Sequence, residues 1–199
     1  MKTKYLLVSA TLIALGLTAC NPEAKLAKDL EGSWTGAPEK LADDANTSAT
    51  CIPVYTFVRS ENESGGTVTI DALISTAGNT ASGAIGQVSL SASGKATVNG
   101  KWRATDDDEI FISLEPTSLQ VSVDPEAVEM AFSPLSGNDQ PAVDSLKPAM
   151  IPVIRTLMTT AMQRKLVELN KIDDIKIKND IMTCEIGKRD LSFHRTVNP

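Results

Sequence analysis

Between Ile52 and Phe132 apolar and polar residues alternate, the period-two pattern of strands with one buried face. Val54, Tyr55 and Phe57 open the run. Val68, Ile70, Ala72 and Ile74 then share one face, with Thr67, Thr69, Asp71 and Ser75 on the other. Ala96, Val98, Gly100 and Trp102 alternate with Lys95, Thr97, Asn99, Lys101 and Arg103. Shorter runs follow at Ile110, Ile112 and Leu114, at Leu119, Val121 and Val123, and at Val128, Met130 and Phe132. Between them stand Ser64-Gly65-Gly66, Gly78-Asn79, Ser93-Gly94, Asp106-Asp107-Asp108 and Asp124-Pro125, residue types that predict turns. Strands polar on one side and joined by short turns predict an antiparallel meander.

The period then changes. Ile151, Ile154, Met158, Ala161, Met162, Leu166 and Leu169 recur at three and four residues, with Arg155, Thr159, Gln163, Arg164 and Glu168 opposite them. This predicts an amphipathic helix over about residues 149–170, with Pro148 and Pro152 near its start, where a missing N–H costs little. Final strands are expected around Ile172–Ile177, Met182–Ile186 and Leu191–Arg195. Residues 37–50 and 133–148, rich in small, polar and proline residues, read as loops. The fold class expected is therefore mainly β with one long helix: a barrel, or a curved sheet or sandwich.

The first residues follow a different rule. Lys2 and Lys4 precede an uncharged apolar stretch from Tyr5 to Ala19, too short for a stable membrane span but suited to a secretion signal. It ends in Leu17-Thr18-Ala19-Cys20, which resembles the bacterial lipobox. The resemblance implies that residues 1–19 are a signal peptide, that Cys20 is lipidated, and that residues 20–29 tether a single domain over 30–199 to a membrane. In proteobacterial lipoproteins an Asp after the Cys favours the inner membrane. Asn21 therefore implies the outer membrane, with the periplasmic face preferred.

Charge narrows the partners. Nineteen basic against twenty-five acidic side chains give −6, and loss of Lys2 and Lys4 takes this to −8. An acidic chain with no basic stripe is not a nucleic-acid binder. With Cys20 set aside for lipid, Cys51 and Cys184 remain as a pair in an oxidising compartment, so a disulfide is expected, with two free buried thiols as the alternative. Such a bond would close a long loop, worth on the order of 4 kcal/mol in the chain-entropy picture.

Leu30-Glu31-Gly32-Ser33-Trp34, followed by meandering strands and a late helix, resembles the lipocalins and the lipocalin-like lipoproteins of Gram-negative bacteria. The resemblance implies a structural Trp34 plugging one end of an up-and-down barrel, with a late Arg across its ring: Arg195 first, Arg189 second. Three strands after the helix, where the family has one, and strands poor in aromatics depart from that pattern.

Candidate chemistry is sparse. A lone His194 rules out a multi-histidine metal site and has no evident nucleophile or acid partner. Asp106-Asp107-Asp108-Glu109 offers oxygens but not the spacing of an EF-hand, and Asp173-Asp174 reads as a solvated turn. Met150, Met158 and Met162 would line any pocket between helix and sheet, so they are the candidate ligand contacts. No catalytic residue, cofactor or metal is expected. The function expected is a non-enzymatic, lipid-anchored envelope protein holding a small apolar or amphipathic ligand in its β domain. The alternative is an envelope interaction, assembly or inhibitor protein working through surface loops, with a protein partner and no small ligand.

Overall fold

The computed structural model describes residues 21–43, 46–61, 63–82, 86–133 and 140–196. The expected signal segment over 1–19 and Cys20 lie outside these residues. Asn21 caps the first element, α1 (Pro22–Leu30), its side chain accepting from the Ala24 amide at 3.0 Å. Pro22 opens the helix, where no intrahelical N–H is lost, and Glu23 and Lys28 suit the two ends of its dipole. Leu26, Ala27 and Leu30 are buried. The stretch expected as a tether is thus a helix already packed on the domain, because three apolar residues at helical spacing find a surface to cover.

Strands β1 (Gly32–Gly36), β2 (Glu39–Asp43), β3 (Thr47–Arg59), β4 (Gly65–Ser82), β5 (Gly86–Ala104), β6 (Ile110–Leu114), β7 (Gln120–Val123) and β8 (Glu129–Ser133) precede the long helix α2 (Gln140–Val167). β9 (Lys171–Lys178), β10 (Ile181–Ile186) and β11 (Arg189–Arg195) follow it. Eight of the strands close an antiparallel barrel in chain order, β1, β3, β4, β5, β6, β9, β10 and β11. β1 makes the closure, pairing with β11 on one side, Trp34 opposite Arg195, and with β3 on the other, Trp34 opposite Tyr55. The three strands after the helix are therefore what completes the barrel. Its thinnest seam is β6–β9, where only Ile110↔Ile172 and Phe111↔Lys171 are in register.

β4 and β5 are too long to belong to the barrel alone. They pair along their whole length, from Gly65↔Arg103 to Ser82↔Gly86. Beyond the barrel, β5 is flanked by β7 and β8 instead of β6, and β3 by β2. This extension packs against α2. Two apolar clusters result. One fills the barrel around Trp34, Tyr55, Phe57, Trp102 and Phe193, with Leu26, Ala27 and Leu30 of α1 joined to it. The other joins Cys51, Ile74, Ala92 and Met130 to Ile154, Met158 and Met162 of α2. The long-strand faces expected from alternation are the buried ones: Val68, Ile70, Ala72 and Ile74 in β4, and Ala96, Val98 and Trp102 in β5.

Several local expectations change. Gly78-Asn79 and Ser93-Gly94 are not turns but lie inside β4 and β5. Gly94 is there because both β7 and the helix come close: a Cβ on it would collide with the Ser122 carbonyl and sit 2.9 Å from Met158 Sδ. Part of the expected loop over 37–50 is the β2–β3 hairpin, held by Glu39↔Cys51 and its neighbours. α2 begins nine residues or so before the expected start at 149, so Pro148 and Pro152 are internal. Both lie on the exposed side of the helix. The rest of the loop expected over 133–148 lies partly outside the described residues. Asp173-Asp174 is not a turn but an irregularity inside β9, with Asp174 at φ +50°.

Candidate functional site

Arg195 and Trp34 are built by the closure of the barrel. Gly32, at φ +118°, swings the chain from α1 into β1. Trp34 is then fully buried and donates from Nε1 to the Leu30 carbonyl at 2.7 Å. The Arg195 guanidinium lies 4.2 Å from the centre of the indole ring, as the resemblance to lipocalins implies for a late Arg. It also donates to the Glu31 carbonyl at 2.6 Å and the Asp29 carbonyl at 2.8 Å, and to the Asp180 carboxylate at 3.1 Å. One side chain thus covers the plug and satisfies carbonyls at the C-terminal end of α1, which no intrahelical amide reaches. Arg189, the second candidate, is elsewhere.

Arg189 belongs to a polar cluster at the junction of the two apolar clusters. Glu39 of β2 accepts from Lys165 of α2, and both side chains are more than nine-tenths buried. Arg189 reaches Glu39 at 3.4 Å and Glu168 at 3.2 Å. Neither glutamate nor lysine was singled out by residue pattern: Lys165 sits on the apolar face of α2, and Glu39 lay in a stretch read as loop. Only the charge at an apolar-phase position hinted at a buried partner.

Cys51 and Cys184 flank this region as free, buried thiols, so the expected disulfide is not formed. Cys51 packs in the cluster under α2 and Cys184 in the barrel cluster. Burial, and then the Glu39 carboxylate, push both thiols up, Cys51 to about 11 and Cys184 to about 12. Neutral at physiological pH, they are poor nucleophiles. The same two causes, in the same order, hold the Tyr55 hydroxyl well above its ordinary value.

The barrel interior is filled. Tyr55 stacks against Phe57 at 6.2 Å and meets Phe193 edge-on at 5.2 Å, and Phe57 meets Trp102 edge-on at 5.4 Å. Met158 and Met162 are buried core and Met150 is partly buried against the same cluster. None of the three borders the apolar groove between β6 and α2. That groove, about 370 Å³, lies at the β6–α2 junction between Ile112, Leu114, Leu119, Leu166 and Val167. A larger concavity of about 950 Å³ runs over the surface near Asn21, Ser60, Gly65 and Phe111.

His194 is exposed on β11. Asp106, Asp107 and Asp108 form the solvent-facing β5–β6 turn. Partial desolvation, then the neighbouring carboxylates of Asp107 and Asp174, raise Asp108. Among the described residues no group of His, Cys, Asp and Glu side chains is arranged to hold a metal ion. No described helix is long and apolar enough to cross a membrane. No family profile and no curated protein matches this chain.

Proposed function

We propose that this protein is a non-catalytic interaction module of the bacterial cell envelope, lipidated at Cys20, whose barrel is a scaffold and not a ligand container. The observation that carries this reading is the filled interior: Trp34, Tyr55, Phe57, Trp102 and Phe193 are each 3% exposed or less. α1 is packed on the same cluster, and the other end of the barrel leads into the helix-covered extension. A binding barrel needs several hundred cubic ångströms of enclosed apolar space, and these rings occupy it. Because Asn21 already caps α1, a lipid on Cys20 holds this end of the barrel directly against the bilayer. The α2-bearing extension then points away, toward partners in the periplasm if the anchor lies in the outer membrane's inner leaflet.

The test has two readouts. Metabolic labelling with an alkyne fatty acid should mark the wild type and not Cys20→Ser, with membrane fractionation following the label. Native mass spectrometry of the purified chain should show protein mass alone. A stoichiometric apolar molecule released on unfolding would restore the second reading, a small-ligand carrier. That reading has one observation in its favour, the apolar groove at the β6–α2 junction.

A further inference from the structure

Helix α2 has a second apolar face. Its inner residues, Ile154, Met158 and Met162, are buried in the core. Leu146, Val153, Leu157 and Val167 are 47%, 49%, 55% and 80% exposed. With Met150, Thr160 and Arg164 they form one series, 146, 150, 153, 157, 160, 164 and 167, stepping four and three residues alternately. That is the a/d spacing of a helix–helix seam, not the wider stripe a globular core requires. Thr160 within the series and Thr156 beside it are muted: their hydroxyls bond back to the carbonyls of Thr156 and Pro152, both at 3.0 Å. Ala149 and Thr156, small residues beside the seam, allow close approach.

We propose that this stripe docks an amphipathic α-helix of another protein, one whose apolar seam is flanked by carboxylates. Charge selects the partner. From Ser145 to Val167 the helix has no Asp or Glu, although the chain as a whole is at −6. Arg164 lies within the seam, exposed and without an ion pair among the described residues. A second copy does not meet this need: parallel pairing sets Arg164 against Arg164, and antiparallel pairing about residue 155 sets it against Leu146. A bilayer is disfavoured too, since the seam lacks interfacial aromatics. α2 also packs on β7 and β8, beside residues 87–97 of β5, whereas the concavity at Asn21 borders residues 101–104. This inference rests on the interaction reading above and on its orientation of the anchor.

The probe is a synthetic three-heptad peptide with Leu at a and d and Glu at e and g, labelled and titrated with the full chain. Its counterpart carries Lys at e and g. The Glu peptide should bind at least about tenfold more tightly than the Lys peptide. Val153→Glu with Leu157→Glu should abolish binding, and Arg164→Glu should reduce the preference for the Glu peptide. Circular dichroism should be unchanged for all, since the substituted side chains are exposed. Equal binding of both peptides, or none, overturns the proposal. So does stripe-dependent sedimentation with phosphatidylethanolamine–phosphatidylglycerol vesicles, or stripe-dependent dimerisation. If Cys20 is acylated and the barrel carries no ligand, those outcomes remove this inference and leave the proposed function standing.

Discussion

Lys165 of α2 donates to Glu39 of β2 inside the protein, with less than a tenth of either side chain exposed. The pair clamps the helix onto the edge strand of the extension, and Arg189 of β11 joins it at 3.4 Å. Breaking one side of such a pair strands a charge, whereas replacing both sides need not. Lys165→Met alone should therefore lose about 3 kcal/mol of unfolding free energy in urea, tempered by Arg189, which still faces Glu39. Lys165→Met with Glu39→Leu should recover most of it. A double variant as unstable as the single one would mean that the pair adds stability beyond an apolar contact.

Arg195 links the Trp34 ring to two carbonyls of the α1 end. Arg195→Ala should cost about 2–4 kcal/mol, from the ring contact and the lost charge-assisted bonds. Arg195→Lys should restore little, since one ammonium cannot cover the ring and meet both carbonyls. Amide hydrogen exchange gives the specific readout: α1 should lose protection ahead of the rest of the barrel.

The thiols set an alkaline limit. Both are neutral when folded and ionise near 9.0 when unfolded, with folded values of about 11 and about 12. The unfolded state therefore releases protons first, and stability falls as pH rises above about 9, by up to about 1.4 kcal/mol per pH unit per thiol. Below that they contribute no slope. Cys51→Ala with Cys184→Ala should flatten the urea midpoint between pH 9 and 11 relative to wild type. Iodoacetamide at pH 8 should label neither thiol in the native protein and both in urea.

Gly94 marks where α2 meets β5. A Cβ there collides with the Ser122 carbonyl as well as with Met158 Sδ. Gly94→Ala should cost about 1–3 kcal/mol by overpacking. Adding Met158→Ala should not rescue it, because the tighter clash is with backbone. Rescue would show that the helix, and not the β7 strand, sets the spacing.

The difference between reading a strand and reading a barrel is visible at particular residues. Alternation placed Val68, Ile70, Ala72 and Ile74 on one buried face because side-chain direction in a strand is a local, period-two property. It could not tell Gly94 in a strand from a glycine in a turn, because the neighbours that demand the glycine, Ser122 of β7 and Met158 of α2, lie far along the chain. Leu26, Ala27 and Leu30 had helical spacing in a segment too short for its periodicity to stand out. The outer stripe of α2 was hidden by the inner one, since a helix apolar on two faces loses the contrast that marks either.

Local physics alone settled the mainly β character and the long helix, each written in spacing; a late Arg across Trp34 was implied by the resemblance to lipocalins and not by any local pattern. Tertiary structure decided the rest. Closure depends on strands more than 150 residues apart meeting in register, as Trp34 and Arg195 do. Whether a barrel is hollow depends on how its rings interlock, and here Tyr55, Phe57, Trp102 and Phe193 meet ring to ring inside it. Burial of Lys165 beside Glu39, and separation of Cys51 from Cys184 into two clusters, likewise follow from packing. These are relations between distant parts of the chain, and no window of sequence contains both partners.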